Sequence, residues 1–211
     1  IKRQALFTDT NPYFSVPHPF TAYLSLWDEN QPLPSEMALR SMQSLGIQLL
    51  SEVKALEASC LLQLRHLDNE AKVVVDFLKL QSRKVDLVLQ HVLEKEVQEG
   101  EKFSGCQFGG SGIRLNSREA LPLGRQYKVT LFIHEELVAI LCFAKVTACL
   151  VSQEGQSDGL QVQSPNAALP YLVDLEFSQI LDADVEQLVK ASLNVQQKQL
   201  KLRKQARDER Q

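Results

Sequence analysis

The sequence has little of what marks a membrane protein, a secreted protein or a nucleic-acid-binding protein. No apolar run approaches the roughly 18 residues that a membrane-spanning helix needs. The first residues, IKRQALFTDTNPYF, lack the apolar stretch of a secretory signal. The net charge of −3 argues against a general nucleic-acid binder, which carries a strong basic excess. We therefore expect a cytoplasmic protein that neither binds nucleic acid nor inserts into a membrane.

Residues that would support metal or hydrolase chemistry are few and scattered. The four cysteines form no CxxC pair and lie among apolar neighbours, which is typical of buried free thiols in a reducing compartment. The four histidines stand apart from cysteines and carboxylate clusters, so no metal site is predicted. The one GxSxG match, GQSDG at 155–159, lies in a predicted turn and not between a predicted strand and helix, and no GK[ST] follows the glycines of GGSG. The sequence therefore predicts no catalytic residue, no metal and no cofactor, and the protein is not expected to be an enzyme.

Residues 1–34 are expected to form a proline-rich arm. Five prolines in this span forbid a continuous helix, yet its large apolar side chains are too many for a disordered tail. The arm is expected to dock either on the rest of its own chain or on a partner.

Residues 35–98 have the pattern of a helical, coiled-coil-like module that begins at Ser35 as N-cap. A single helix over 35 to 97 would be roughly 95 Å long. We favour a hairpin that turns near Asp68 and Asn69, with one continuous helix as the alternative. The second half carries apolar residues around much of its circumference, which predicts packing on the next domain or on a second copy of the chain. The residues expected at an interface between copies are Val74, Leu78, Val85, Val88 and Val92.

The period changes at Gly100, and residues 99–211 are expected to form a small antiparallel barrel followed by a C-terminal helix. The predicted strands are KFSGCQF, GIRLNS, YKVTLFIH, VAILCFAKVTACLVSQ, LQVQS and YLVDLEF. The helix is capped by Asp182 or Asp184 and becomes basic towards its end. We interpret that basic end as a solvated surface whose cations favour the negative end of the helix dipole.

The glycine-rich segment (Phe103 to Glu119, FSGCQFGGSGIRLNSRE) has two interpretations. Glycines can bring backbone N–H groups close to an anion such as a phosphate. They also occur where a barrel needs a bulge or a sharp corner, and the spacing alone favours this structural role.

The order of these segments resembles that of the PilZ domain family. The likeness covers about 99–210 and is carried by GIRL, LPLGRQYKVTLF, AKVTACLV, PYLVDLEF and QLVKASLNVQQKQLKLRK. The resemblance implies a six-stranded antiparallel barrel with a C-terminal helix, hence an α+β fold. It also implies a bacterial signalling role, because many members are receptors for cyclic di-GMP. Motility, pilus biogenesis and biofilm regulation are roles of the family.

Cyclic di-GMP-binding members carry RxxxR ahead of the first strand and [D/N]xSxxG after it. Aligning Gly112 with the last glycine places Gln107 and Gly109 where the acid or amide and the serine are expected, and Ser111 stands at a different step. No arginine lies in LEKEVQEGEKF upstream, and the only nearby RxxxR, Arg114 to Arg118, follows the glycines. The resemblance therefore implies a degenerate member that has lost cyclic di-GMP binding and acts by protein–protein interaction with an unidentified partner.

Two alternatives remain open at this point. One is a true cyclic di-GMP receptor with relocated contacts. The other is a structural homo-oligomer, a dimer or larger, whose helices carry the function. The residues of the first alternative are Gln107, Gly109, Ser111, Gly112, Arg114 and Arg118.

Overall fold

The structure, a computed structural model, describes residues 15–64, 72–151 and 171–208. Six strands form a closed barrel in the order β1-β2-β3-β6-β5-β4, with every neighbouring pair antiparallel. The strands are β1 (Ser15–Leu26), β2 (Glu101–Gly109), β3 (Gly112–Ser117), β4 (Gln126–Ile133), β5 (Val138–Val151) and β6 (Tyr171–Gln179). The helices are α1 (Glu36–Met42), α2 (Leu45–Leu64), α3 (Lys72–Lys95) and α4 (Asp182–Asp208). The expected α+β fold with a six-stranded antiparallel barrel and a C-terminal helix is confirmed.

The first barrel strand comes from the predicted proline-rich arm, whereas the sequence predicts all six strands after residue 98. Strand β1 pairs with both β2 and β4, and it closes the barrel. Its register shifts between Pro17 and Phe20, so the prolines lie at an irregularity where their missing N–H groups are tolerated. From Phe20 onward alternate residues are buried, as a barrel strand requires. The expectation that the arm docks on its own chain thus has a structural basis. The predicted strand LQVQS lies outside the described residues.

Helices α2 and α3 lie side by side and antiparallel. Lys54 of α2 pairs with Asp86 of α3 at 2.7 Å, and Ser44, just before α2, contacts Glu96 at the end of α3. The alternative of one continuous helix is therefore wrong. The turn predicted at Asp68 and Asn69 lies outside the described residues. Helix α1 begins after Ser35, whose hydroxyl accepts the Ala38 N–H, so the predicted N-cap is confirmed.

Strand β5 is apolar on both faces because each face is covered. Its inward residues join the barrel core, for example Ile140 and Cys142. Its outward residues Leu141 and Phe143 pack in a second cluster with α1, α2 and α3. This second cluster fixes the helical module to the outer wall of the barrel. Helix α4 in turn covers the barrel core with Leu188, Ala191 and Val195, whereas Leu193 of the same helix is exposed.

The four cysteines are free thiols, but only Cys142 is buried, and Cys60 is exposed. Burial raises the pKa of Cys142 well above its ordinary value. In the part of the chain that the structure describes, no helix has the length and apolar character needed to cross a membrane.

Candidate functional site

The glycine-rich segment forms the hairpin of β2 and β3, so it is the corner between two barrel strands. Gln107 and Arg114 face each other across this hairpin as register partners. Strand β3 then pairs along its other edge with β6. The segment is therefore enclosed by strands on both sides, with β1 beside β2 and β6 beside β3.

Gly112 is required by a close approach between backbones. A Cβ atom built on Gly112 would lie 2.4 Å from the carbonyl oxygen of Leu175 on β6. No side chain fits at that distance without moving the backbone. Ser111, the residue before it, accepts the Phe177 N–H through its carbonyl oxygen at 2.9 Å. The corner is thus anchored to β6, which supplies a structural reason for the glycine.

Arg114 is held by the neighbouring strand. Its Nε donates to Asp174 Oδ1 at 2.5 Å and its Nη2 donates to Oδ2 at 2.8 Å. This bidentate pair is half-buried, and the hydrogen bonds with Asp174 raise the pKa of Arg114. Arginine uses the same bidentate geometry to bind a phosphate. A phosphate at Arg114 would therefore have to displace Asp174.

Gln107 and Gly109 are engaged by strand β1. The Gln107 side-chain amide donates to Ser15 Oγ at 2.7 Å, and Gly109 is the register partner of Ser15. The residues that stand where the family's ligand-binding groups are expected thus take part in bonds between barrel strands.

The strand face around Arg114 carries both carboxylates and cations. Asp174 and Glu176 alternate on β6, where Glu176 is the register partner of Gly112. Lys145 on β5 is the register partner of Glu176, and Arg114 is paired with Asp174. These four side chains together offer no net positive charge to attract a dianionic ligand.

Arg118 lies beyond the end of β3 and is exposed. With Lys102 it lines a shallow basin of about 510 Å³ on the outer barrel wall. Thr21, Ser104 and Asn116 are successive register partners across β1, β2 and β3 in the same basin. This basin combines two cations with hydroxyl and amide groups, although Glu101 also lines it.

The five residues predicted at an interface between copies lie on one exposed side of α3. Their exposed fractions run from 37% at Val92 to 63% at Val88. Further large apolar side chains are exposed on the same helix, among them Phe77 and Leu87. By contrast, Leu89 and Leu93 are buried against the barrel. Helix α3 therefore packs on the barrel with one side and leaves a wide apolar side uncovered within the single chain.

The hydrogen-bond partners of the predicted ligand residues are distant in sequence, and they are not predicted from the sequence. Asp174 lies sixty positions from Arg114 along the chain. A signal for its orientation was present, because Val173 and Leu175 alternate with Asp174 and Glu176 in YLVDLEF. Among the described residues, no group of three or more His, Cys, Asp or Glu side chains could hold a metal ion.

The closed six-stranded barrel followed by a C-terminal helix is the architecture that the resemblance to the PilZ family implies, and the fold is PilZ-like. No protein-family model and no curated protein matches the sequence.

Several solved chains are similar to this one, and two of them illustrate the likeness. One is a protein from Xanthomonas campestris, described as a tetrameric PilZ domain self-assembled via a helical bundle. It has 17% identity and a TM-score of 0.49, over 92% of this chain and 93% of that chain. The other is MrkH, described as a c-di-GMP-dependent transcription regulatory factor. It has 17% identity and a TM-score of 0.36, over 46% of this chain and 40% of that chain.

Proposed function

We propose that this chain is a non-catalytic bacterial signalling or adaptor protein of the PilZ type. It acts by protein–protein interaction and has lost cyclic di-GMP binding. The observation that carries this proposal is the bidentate pair of Arg114 with Asp174 on the outer face of the barrel. The four free thiols favour a cytoplasmic location.

The energetics support the loss of binding. A charge-assisted hydrogen bond contributes about 1.5–3 kcal/mol. A ligand that takes Arg114 gains such bonds only after breaking those to Asp174, and it leaves that carboxylate unpaired beside its phosphates. Neither arginine of the family motif has a counterpart just upstream of the glycines, where the chain reads EKEVQEGE. Little of a micromolar affinity, about 8 kcal/mol, remains under these conditions.

The proposal is tested by isothermal titration of the whole protein with cyclic di-GMP at low salt. We expect no saturable heat for the wild type. Saturable binding below about 10 μM would overturn the proposal.

A second candidate function, a cyclic di-GMP receptor with relocated contacts, is favoured by the basin at Arg118 and Lys102. The same titration, repeated with two arginine variants, separates binding in this basin from binding at Arg114. If the ligand binds in this basin, Arg118→Ala abolishes the binding and Arg114→Ala leaves it within about twofold, because Arg114 already pairs with Asp174. If it uses the contacts predicted from the sequence, Arg114→Ala abolishes the binding as well.

We further propose that the protein self-associates through α3 as a dimer or larger oligomer. This part is supported by the exposed apolar side of α3, since a single chain in water rarely leaves so many large apolar groups on one helix. The interface would contain Val74, Leu78, Val85, Val88 and Val92. If the helices alone carried the function, the barrel would serve only to hold them, which is the homo-oligomer alternative.

A further inference from the structure

We propose that the cleft between the helical module and α4 is a binding site for an organic cation, an ammonium or a guanidinium group, with Asp184 as its counter-charge. The cleft has a volume of about 830 Å³. It is lined by residues of α1, α2 and α4 and by residues 136–138, where the connection from β4 enters β5. It is separate from the barrel face around Arg114, so the inference does not rest on the proposed function.

Asp184 is a buried carboxylate that forms no ion pair in the described structure. It lines the cleft, only 2% of its surface is exposed, and its Oδ2 atom has no hydrogen-bond partner in the described structure. An unsatisfied buried charge is destabilising, and native structures keep very few of them. Two other carboxylates of the cleft are already paired: Glu57 with Lys54 at 3.1 Å and Glu136 with Lys198 at 2.5 Å.

The charges around the cleft favour a cation. Among the described residues that line it, carboxylates outnumber cations. The carboxylates are Glu52, Glu57, Glu136, Asp184 and Glu186, and the cations are Arg40, Lys54 and Lys190. Burial raises the pKa of Asp184 to about 6, and the positive charge of Arg40 acts against that rise. Yet no ion pair within 4.0 Å joins Arg40 to Asp184 in the described part of the chain. The charge of Arg40 therefore influences Asp184 from a distance, but no cation among the described residues is in direct contact with this carboxylate.

The size and the ligand set favour an organic group over a metal ion. No cluster of three metal-ligating side chains exists among the described residues. A cleft of 830 Å³ lies within the range of sites for organic molecules, about 300–1,000 Å³. An ammonium or guanidinium needs only one carboxylate, to which it donates charge-assisted hydrogen bonds. The cation could belong to a free small amine or to a lysine or arginine side chain of a partner protein.

The test titrates the whole protein at pH 7 with two probes, agmatine as a free amine and acetyl-Ala-Arg-Ala-amide as an arginine side chain. The same peptide with citrulline in place of arginine is the neutral control. Asp184→Asn removes the charge, and Asp182→Asn is the matched control on an exposed residue of the same helical turn. We expect at least one cationic probe to bind with Kd below about 1 mM. Asp184→Asn should weaken this binding about tenfold or more, and Asp182→Asn should leave it within about twofold.

The outcomes separate the two sources of the cation. Binding of agmatine alone identifies a free amine as the ligand, and binding of the arginine peptide identifies a partner's side chain. The inference is overturned if neither cationic probe saturates the protein. It is also overturned if citrulline binds as well as arginine, or if Asp184→Asn binds as well as the wild type.

Discussion

At the scale of single residues, Arg114 shows how a side chain that fits a ligand can be used by the fold. Its guanidinium has two parallel N–H donors that match the oxygens of a phosphate. Here Nε and Nη2 donate instead to the two carboxylate oxygens of Asp174, at 2.5 and 2.8 Å. Gln107 is used in the same way by Ser15. The chemistry available at this face is therefore set by the partners of each residue more than by the residue types.

Gly112→Ala tests the structural role of the glycine corner. The new methyl group would lie 2.4 Å from Leu175 O, and the β3–β6 pairing must shift to admit it. We expect a loss of about 2 kcal/mol or more in the free energy of unfolding. Urea denaturation followed by the fluorescence of Trp27, the only tryptophan, measures this loss. Ser111→Ala is the control and should stay within about 0.5 kcal/mol, because Ser111 bonds to Phe177 through its carbonyl oxygen. Equal stability of Gly112→Ala and wild type would contradict the account.

Asp184→Asn tests the cost of the buried carboxylate. Burial raises the folded pKa of Asp184 from 3.8 to about 6, while the charge of Arg40 opposes the rise. The native state therefore holds a proton that the unfolded state has released, and the group's contribution to stability is lost as pH rises from about 4 to about 6.

The expected pH dependence has a defined sign. At pH 7 the Asp184→Asn variant should be more stable than the wild type by about 2–3 kcal/mol, and the difference should fall below about 1 kcal/mol at pH 4. Urea denaturation of both proteins from pH 4 to pH 8 measures it. A stability difference that stays constant with pH would contradict this prediction, because it would mean that burial does not raise the pKa of Asp184.

At the scale of elements, Glu96, just beyond the end of α3, binds the start of α2 through its carboxylate. Glu96 accepts from Ser44 Oγ at 2.6 Å and from the Gly46 N–H at 2.7 Å. Helix α2 has no acidic residue in its first turn, so Glu96 supplies the negative charge that its N-terminus favours.

Glu96→Ala should therefore loosen the helical module. We expect a loss of about 1–2 kcal/mol in the free energy of unfolding, the usual cost of removing an N-terminal cap. Hydrogen exchange at the amides of Gly46 and Ile47 should accelerate in the variant. Glu94→Ala is the control, because Glu94 is exposed and accepts only from Gln90 in the described structure. Exchange that is as slow in Glu96→Ala as in Glu94→Ala would rule out the cap.

Local signals in the sequence predict most of the elements, and long-range pairings explain what they do not predict. Ser35 and the change of period at Gly100 place a helical module and a barrel, because caps and periodicity are local. Strand β1 is not predicted, since Pro17 and Pro19 obscure its alternation until the sheet register accommodates them. The Arg114–Asp174 pair and the cap by Glu96 join residues sixty and fifty positions apart, which no spacing rule connects.

At the scale of the whole molecule, α3 is expected to join copies of the chain. Val85→Glu places a charge in the middle of the exposed apolar side, where burial in an interface would leave it unpaired. We expect the variant to sediment as a monomer at concentrations where the wild type is a dimer or larger. Arg83→Glu is the control on the polar side of the same helix and should keep the wild-type mass.

The self-association proposal fails if the wild type is a monomer at about 100 μM. It also fails if Val85→Glu and Arg83→Glu have the same mass distribution as the wild type.

The central claim, that the glycine corner serves the barrel and does not hold a nucleotide, is tested most directly by amide NMR. Cyclic di-GMP is added to the isotope-labelled whole protein, and the amide signals from Gly105 to Arg118 are followed. We predict that they do not move, because Asp174, Ser15 and Leu175 already occupy the groups that would contact the ligand. Saturating shifts concentrated at Gly109, Gly112, Arg114 and Arg118 would contradict the account.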